Sequence, residues 1–191
     1  SMRAKGLGAK VIVTEVNPVR AIEAVMDGFT VLPMDEAAAL GDLFITVTGC
    51  AGVVTPAHML QMKDGAMMCN AGHFDVEVDV AGLRKMAKEN GEIRKNIEAF
   101  TLENGKTVYL LAQGRLVNLA AGDGHPVEIM DMSFALQAQC AARMAQNSCA
   151  LKPGLYAVPE DIDRDVAHRK LTALGVSMDV LTPEQERYLL G

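Results

Sequence analysis

The chain has no C-x-x-C pair, no basic block, no internal repeat and no apolar run long enough to cross a bilayer. Each absence removes a class of function. Redox motifs and zinc ribbons need cysteines at close, fixed spacing, whereas Cys50, Cys69, Cys140 and Cys149 stand apart and read as reduced thiols of a cytoplasmic protein. Cys69 and His73 alone amount to half a metal site, short of the three or four ligands that zinc takes, so no metal is expected. A membrane helix needs roughly 18 or more consecutive apolar residues. The opening SMRAKGLG lacks the apolar core of a signal peptide, and Ser1 ahead of Met2 reads as a remnant of tag removal. With a net charge of −6 and scattered Lys and Arg, no face is basic enough to hold nucleic acid.

What is present fits a globular domain: half of the residues are hydrophobic and 22% are charged. The first half alternates β-branched runs with helical periods. Val11–Thr14, Thr30–Leu32, Leu43–Val47 and Ala66–Asn70 read as strands. Asn17-Pro18 reads as a helix cap followed by a first-turn proline, and Gly28 as the stop of that helix. A short helix is expected over Asp35–Leu40. Strands apolar on both faces, separated by helices, point to a parallel sheet covered on both sides. Runs near Ile93–Leu102 and Thr107–Leu111 flank Glu103–Lys106, whose Asn-Gly is a turn signal, so a hairpin is expected there. Beyond Pro126 the apolar period of Ile129, Met132, Leu136, Cys140 and Met144 predicts a long helix to about Asn147. Two shorter helices are expected near Glu160–Leu174 and Pro183–Leu190. The expected division is a domain over 1–125, a hinge and crossover helix over 126–150, and a helical extension over 151–191.

Candidate chemistry sits at strand ends. Glu15 follows the first visible strand, where a dinucleotide-binding unit places the acid that accepts from a ribose; it reads equally as a solvent-facing cap. The strand and G-x-G-x-x-G turn that should precede it are not in the sequence. Thr48-Gly49-Cys50 ends the third strand and reads either as a cofactor loop or as an ordinary turn. Ala71-Gly72-His73 ends the fourth, where Gly72 permits close backbone approach and His73 reads as acid–base group, cofactor contact or solvated side chain. Asn118 and His125 border the bend Gly122–Pro126, a hinge or a close passage over a ligand, with Asp123 as turn former.

Taken in order, VIVTEVNP, ITVTGC, MKDGAMMCNAGHFDVEVD, LLAQGRLVNLAAGDGHP and LTPEQERYL resemble the S-adenosylhomocysteine hydrolases from Met2 to Leu190. The resemblance implies a Rossmann-like doubly wound α/β sheet lacking its first strand and glycine loop, followed by a long helix and a small helical extension. It implies NAD as cofactor, and S-adenosylhomocysteine and adenosine as substrates of the intact enzyme. In that family the ribose 3′-hydroxyl is oxidised, homocysteine is eliminated, water adds and the ketone is reduced again. Carried over by position, Glu15 would hold the adenosine ribose of NAD, and Thr48, Gly49 and Cys50 would pass beside the cofactor. Ala71, Gly72 and His73 would lie near the nicotinamide, Asn118 would contact its carboxamide, and His125 would stand at the hinge near the reacting nucleoside. Arg20 departs from the asparagine common at its position, which leaves its contact with the ribose in doubt. The GDGHP spelling is similar to the shorter bacterial and archaeal forms, and a Lys/Tyr-containing tail is not in the sequence. The residues that grip substrate in the family have no counterparts here, so the chain alone is expected to be inactive and to hold NAD weakly, in an oligomer. Two rival readings remain: the cofactor half of a D-2-hydroxyacid dehydrogenase, and a non-catalytic interaction module.

Overall fold

A computed structural model describes residues 1–146 and 151–190. Asn147 and Cys149, the expected helix end and one of the expected thiols, lie outside the described residues. Two compact units divide the chain, Ser1–Gly124 and His125–Gly191.

The first unit begins with helix α1 (Met2–Gly6), then β1 (Ile12–Val13), α2 (Pro18–Met26), β2 (Thr30–Val31), α3 (Met34–Leu40), β3 (Leu43–Thr46), α4 (Pro56–Gln61), β4 (Met67–Asn70) and α5 (Val80–Met86). It continues with β5 (Ala87–Arg94), β6 (Ile97–Leu102), β7 (Thr107–Leu111), a single 3-10 turn over Ala112–Gly114 and α6 (Val117–Ala120). Local chemistry accounts for the boundaries. The Asn17 side chain accepts from the N–H groups of Val19 (2.9 Å) and Arg20 (3.3 Å), so α2 starts at Pro18. Thr55 and His58 form a capping box for α4, with His58 in the place usually held by Glu. Asp79 caps α5 through the Gly82 N–H at 2.8 Å.

The strands form two pieces. β1 and β2 are a parallel pair; β3, β4, β7, β6 and β5 form a five-stranded sheet in that order, parallel from β3 to β7 and antiparallel beyond. In the doubly wound order 3-2-1-4-5-6, β2 and β1 take positions 3 and 2, and β3 and β4 take positions 4 and 5. Position 1 is taken by none of the described residues. The core lies where α4 and α5 meet the five-stranded sheet, with Met59, Met62, Met68, Phe100, Leu102 and Leu110 fully buried. Each such side chain contributes about 1.5–3 kcal/mol relative to exposure.

Two expectations change. The run expected as one strand near Ile93–Leu102 breaks at Lys95-Asn96, where Asn96 has φ +66°, and Ile93 belongs to a separate strand, β5. Charge hid that strand: Lys88, Glu89, Glu92 and Arg94 are exposed on an irregular edge with two register shifts. Coverage on both faces holds for β4, whose Met68, Cys69 and Asn70 are buried, but on β3 Leu43 and Ile45 are 49% and 55% exposed. The hairpin is as expected, closed at Gly105 (φ +84°) with the Lys106 N–H donating to Asn104 Oδ1 at 3.1 Å.

The outer edge of β3 is unpaired among the described residues, and Leu43, Ile45 and Val47 all present to solvent from alternate positions. Val19, Ile22 and Met26 on α2 are likewise exposed. Unpaired strand edges and apolar stripes of this kind associate. The chain is therefore expected to self-associate, with a molar mass by light scattering above that of the monomer; a monodisperse monomer over a wide concentration range would contradict this.

The second unit contains α7 (Val127–Gln146), α8 (Glu160–Ala173) and α9 (Pro183–Leu190). α7 and α8 are joined by polar pairs: Gln139–Asp165 (3.0 Å), Lys170–Asp131 (3.1 Å) and Arg143–Asp161. Ile162 and Val166 of α8 are its buried apolar residues. Among the described residues no helix is long and apolar enough to cross a membrane.

Candidate functional site

Parallel strands deliver their loops to the carboxyl edge of the sheet, and here the loops after β3, β4 and β7 are fastened to each other. Two buried polar side chains do the fastening. Glu77 is fully buried and accepts from the Thr48 N–H (2.9 Å), the Thr48 hydroxyl (2.9 Å) and the Gly49 N–H (2.7 Å). Backbone bonds extend the seam from the Gly52 N–H to the Val76 carbonyl and from the Val54 N–H to the Glu77 carbonyl. Burial opposes the charge on Glu77. The N–H donors of Thr48 and Gly49, with the hydroxyls of Thr48 and Thr46, outweigh burial and hold its carboxyl below the usual glutamate range.

Asn70 is equally buried. Its Oδ1 accepts from the Gly72 N–H (2.7 Å) and the Thr46 hydroxyl (3.3 Å), while its Nδ2 donates to the carbonyls of Phe74 (2.7 Å) and Gly114 (3.1 Å). A parallel bridge from Asn70 to Leu116 continues the sheet toward α6. Gly72 lies between the two anchors. A Cβ there would overlap the Glu77 carboxylate, so any larger residue must displace that carboxylate.

The structure thus brings together Thr48, Gly49, Ala71 and Gly72, and ties to them the segment that carries Asn118. Cys50 follows, its N–H donating to the Thr48 hydroxyl at 3.0 Å and its thiol exposed. His73 is exposed, edge-on to Phe74 with ring centres 4.3 Å apart. The Asn118 carbonyl accepts from the Gly124 N–H at 2.9 Å, while its side-chain Oδ1 is buried and has no partner among the described residues. Glu15 follows β1, and Arg20 lies in the first turn of α2. Glu15 Oε1 accepts from the N–H groups of Asn17 (2.9 Å) and Val16 (2.7 Å), which hold the carboxyl below its ordinary range and ionised at neutral pH. Arg20 pairs with Glu23 at 3.0 Å on the helix surface, so its guanidinium is engaged within α2. His125 opens the second unit and is exposed. Sequence reasoning missed Glu77 and Asn70. The signal for Glu77 was one acid inside an otherwise apolar triplet, Val76-Glu77-Val78, and for Asn70 an amide closing a buried strand.

Loops gathered at the carboxyl edge of a largely parallel sheet are the place where α/β domains bind nucleotides. Residues 1–124 match the family model for S-adenosyl-L-homocysteine hydrolase, NAD binding domain. The chain belongs to that family, and NAD is the cofactor of its first unit. It is 55% identical to the adenosylhomocysteinase of Gloeothece citriformis over 99% of this chain and 44% of that protein. Identity is 56% to that of Thermotoga maritima (99% and 47%) and 54% to that of Archaeoglobus fulgidus (99% and 46%). The chain spans about half the length of the curated relatives it matches.

The residues present fit NAD. The orphaned Oδ1 of Asn118 is an acceptor that burial makes costly unless an N–H reaches it, as a carboxamide does. Glu15 offers an ionised carboxylate whose second oxygen has no protein partner among the described residues, as a ribose diol requires.

Proposed function

We propose that this chain is the cofactor-binding half of an adenosylhomocysteinase, which reversibly converts S-adenosyl-L-homocysteine and water into adenosine and L-homocysteine. The observation that carries the reading is the unpartnered, buried Asn118 Oδ1, on a segment bonded through Asn70 to the loops after β3 and β4. The chemistry supplied by bound NAD is reversible oxidation of the ribose 3′-hydroxyl, which acidifies the neighbouring 4′ hydrogen and permits elimination. Asn118 orients the carboxamide, and Thr48, Gly49 and Cys50 line the cofactor's passage with Ala71, Gly72 and His73 at its nicotinamide end. Glu15 accepts from the adenosine ribose, Arg20 stands at the rim of that subsite, and His125 serves near the reacting nucleoside. Within the chain we assign 1–125 to cofactor binding, 126–150 to a crossover helix and 151–191 to a helical extension. The assembled enzyme is a homo-oligomer of the cytoplasm, where the free thiols of Cys50, Cys69 and Cys140 stay reduced.

The test joins this chain to the complementary part of the Thermotoga maritima relative and measures homocysteine release with S-adenosylhomocysteine. Recovered turnover is expected. A folded but inactive product would instead favour an interaction module, the reading that the open β3 edge supports.

In the joined enzyme, Glu15→Ala is expected to weaken NAD by about tenfold or more, the loss that follows from removing bonds to a charged acceptor. NADP should change less, because the carboxylate already repels a 2′-phosphate. Equal losses for both nucleotides, read by fluorescence titration, would show that Glu15 only caps its strand.

A further inference from the structure

The fully buried Glu77 carboxylate has no role in the residue assignments made above, yet it touches two of the proposed cofactor loops. We infer that Glu77 is a positioning residue that sets the nicotinamide-side loops for cofactor, acting through Thr48, Gly49 and Gly72. The inference rests on the NAD reading. Its geometry is independent of that reading: both carboxylate oxygens are used, Oε2 by the N–H and hydroxyl of Thr48 and Oε1 by the Gly49 N–H. Oε1 also occupies the space that a side chain at position 72 would need. The backbone of one loop is therefore fixed by an acceptor supplied by the other, across 28 and 29 residues of sequence. A neutral acid or amide cannot accept all three bonds, since one of its own groups becomes a donor facing an N–H.

In a doubly wound domain the two halves of the sheet bind the two mononucleotides separately. Glu77 belongs to the half built on β3 and β4, whereas Glu15 follows β1. Loss of Glu77 must then disturb the nicotinamide mononucleotide half and spare the adenosine half. A residue that merely stabilises the fold would weaken both alike.

The experiment follows backbone amides of the 191-residue chain by NMR during millimolar titrations with NAD, nicotinamide mononucleotide and AMP. For Glu77→Gln, NAD and nicotinamide mononucleotide are expected to bind about tenfold more weakly, while AMP stays within about twofold. Gly72→Ala, which forces a Cβ against the same carboxylate, is the second variant and should give the same selective loss. Glu77→Gln binding all three probes as wild type does, or losing AMP in equal measure, would overturn the inference and leave the NAD reading standing. If Glu77→Gln does not fold, the Gly72→Ala pattern decides by the same criteria. A wild-type chain whose amides respond to neither NAD nor nicotinamide mononucleotide would overturn the NAD reading and this inference with it.

Discussion

Assayed by itself, the 191-residue chain is expected to release no homocysteine from S-adenosylhomocysteine above the buffer blank, and to bind NAD more weakly than micromolar. A dinucleotide's pyrophosphate is held by backbone N–H groups of a glycine turn and by the positive end of the helix after it. The sequence contains no G-x-G-x-x-G, and the short α1 starts without a side-chain cap. What remains are the contacts proposed for Glu15 with a ribose and for Asn118 with the carboxamide, with no glycine turn between them for the phosphates among the described residues. Groups that act as a unit lose nearly all activity when part of the set is missing. Calorimetry with NAD and a coupled homocysteine assay check this. Micromolar or tighter binding, or turnover above the blank, would show that phosphate is held by some other part of the chain.

Asn70→Ala is expected to destabilise the first unit by about 2–4 kcal/mol, because it strands several buried polar groups at once. The Gly72 N–H and the carbonyls of Phe74 and Gly114 each lose a partner, and the Thr46 hydroxyl loses one of its two neighbouring acceptors. The measurement is native-state hydrogen exchange at the amides of β4 and β7, which reports on this unit apart from the helices of the second. A loss below about 1 kcal/mol would mean that water replaces the amide at little cost.

Much of the architecture could be read from the sequence because it is encoded locally. Asn17-Pro18 announces a helix start whatever lies around it, and Asn104-Gly105 announces a turn. The β-branched runs marked β1 to β3, and the apolar run Ala66–Asn70 marked β4, within a residue or two. The candidate loops were legible as well, since a parallel sheet puts its strand ends on one edge. What was not legible depends on meetings between distant residues. Glu77 stands among Asp75 and Asp79 and reads as one more solvated acid until Thr48 and Gly49 are brought to it. Asn70 reads as a strand end until Gly114, more than forty residues on, supplies its carbonyl. β5 failed for the opposite reason: its own residues are polar and exposed, and only pairing with β6 makes them a strand.

The sheet's mixed topology has a consequence for the order in which the molecule assembles. Pairing β6 with β7 requires closing only the turn at 103–106, and β5 follows across the bend at 95–96. β4 reaches β3 only after 47–66 are drawn in, and reaches β7 only after 71–106 are, so this parallel seam carries most of the loop-closure entropy. The meander is therefore expected to form early and the parallel seam of β3, β4 and β7 last. In the native state that seam is held by contacts between distant residues, the buried Glu77 and Asn70 among them, rather than by local ones. If nucleotide binds there as proposed, it acts on the seam that is closed over the longest stretches of chain, and occupancy is expected to slow local opening there.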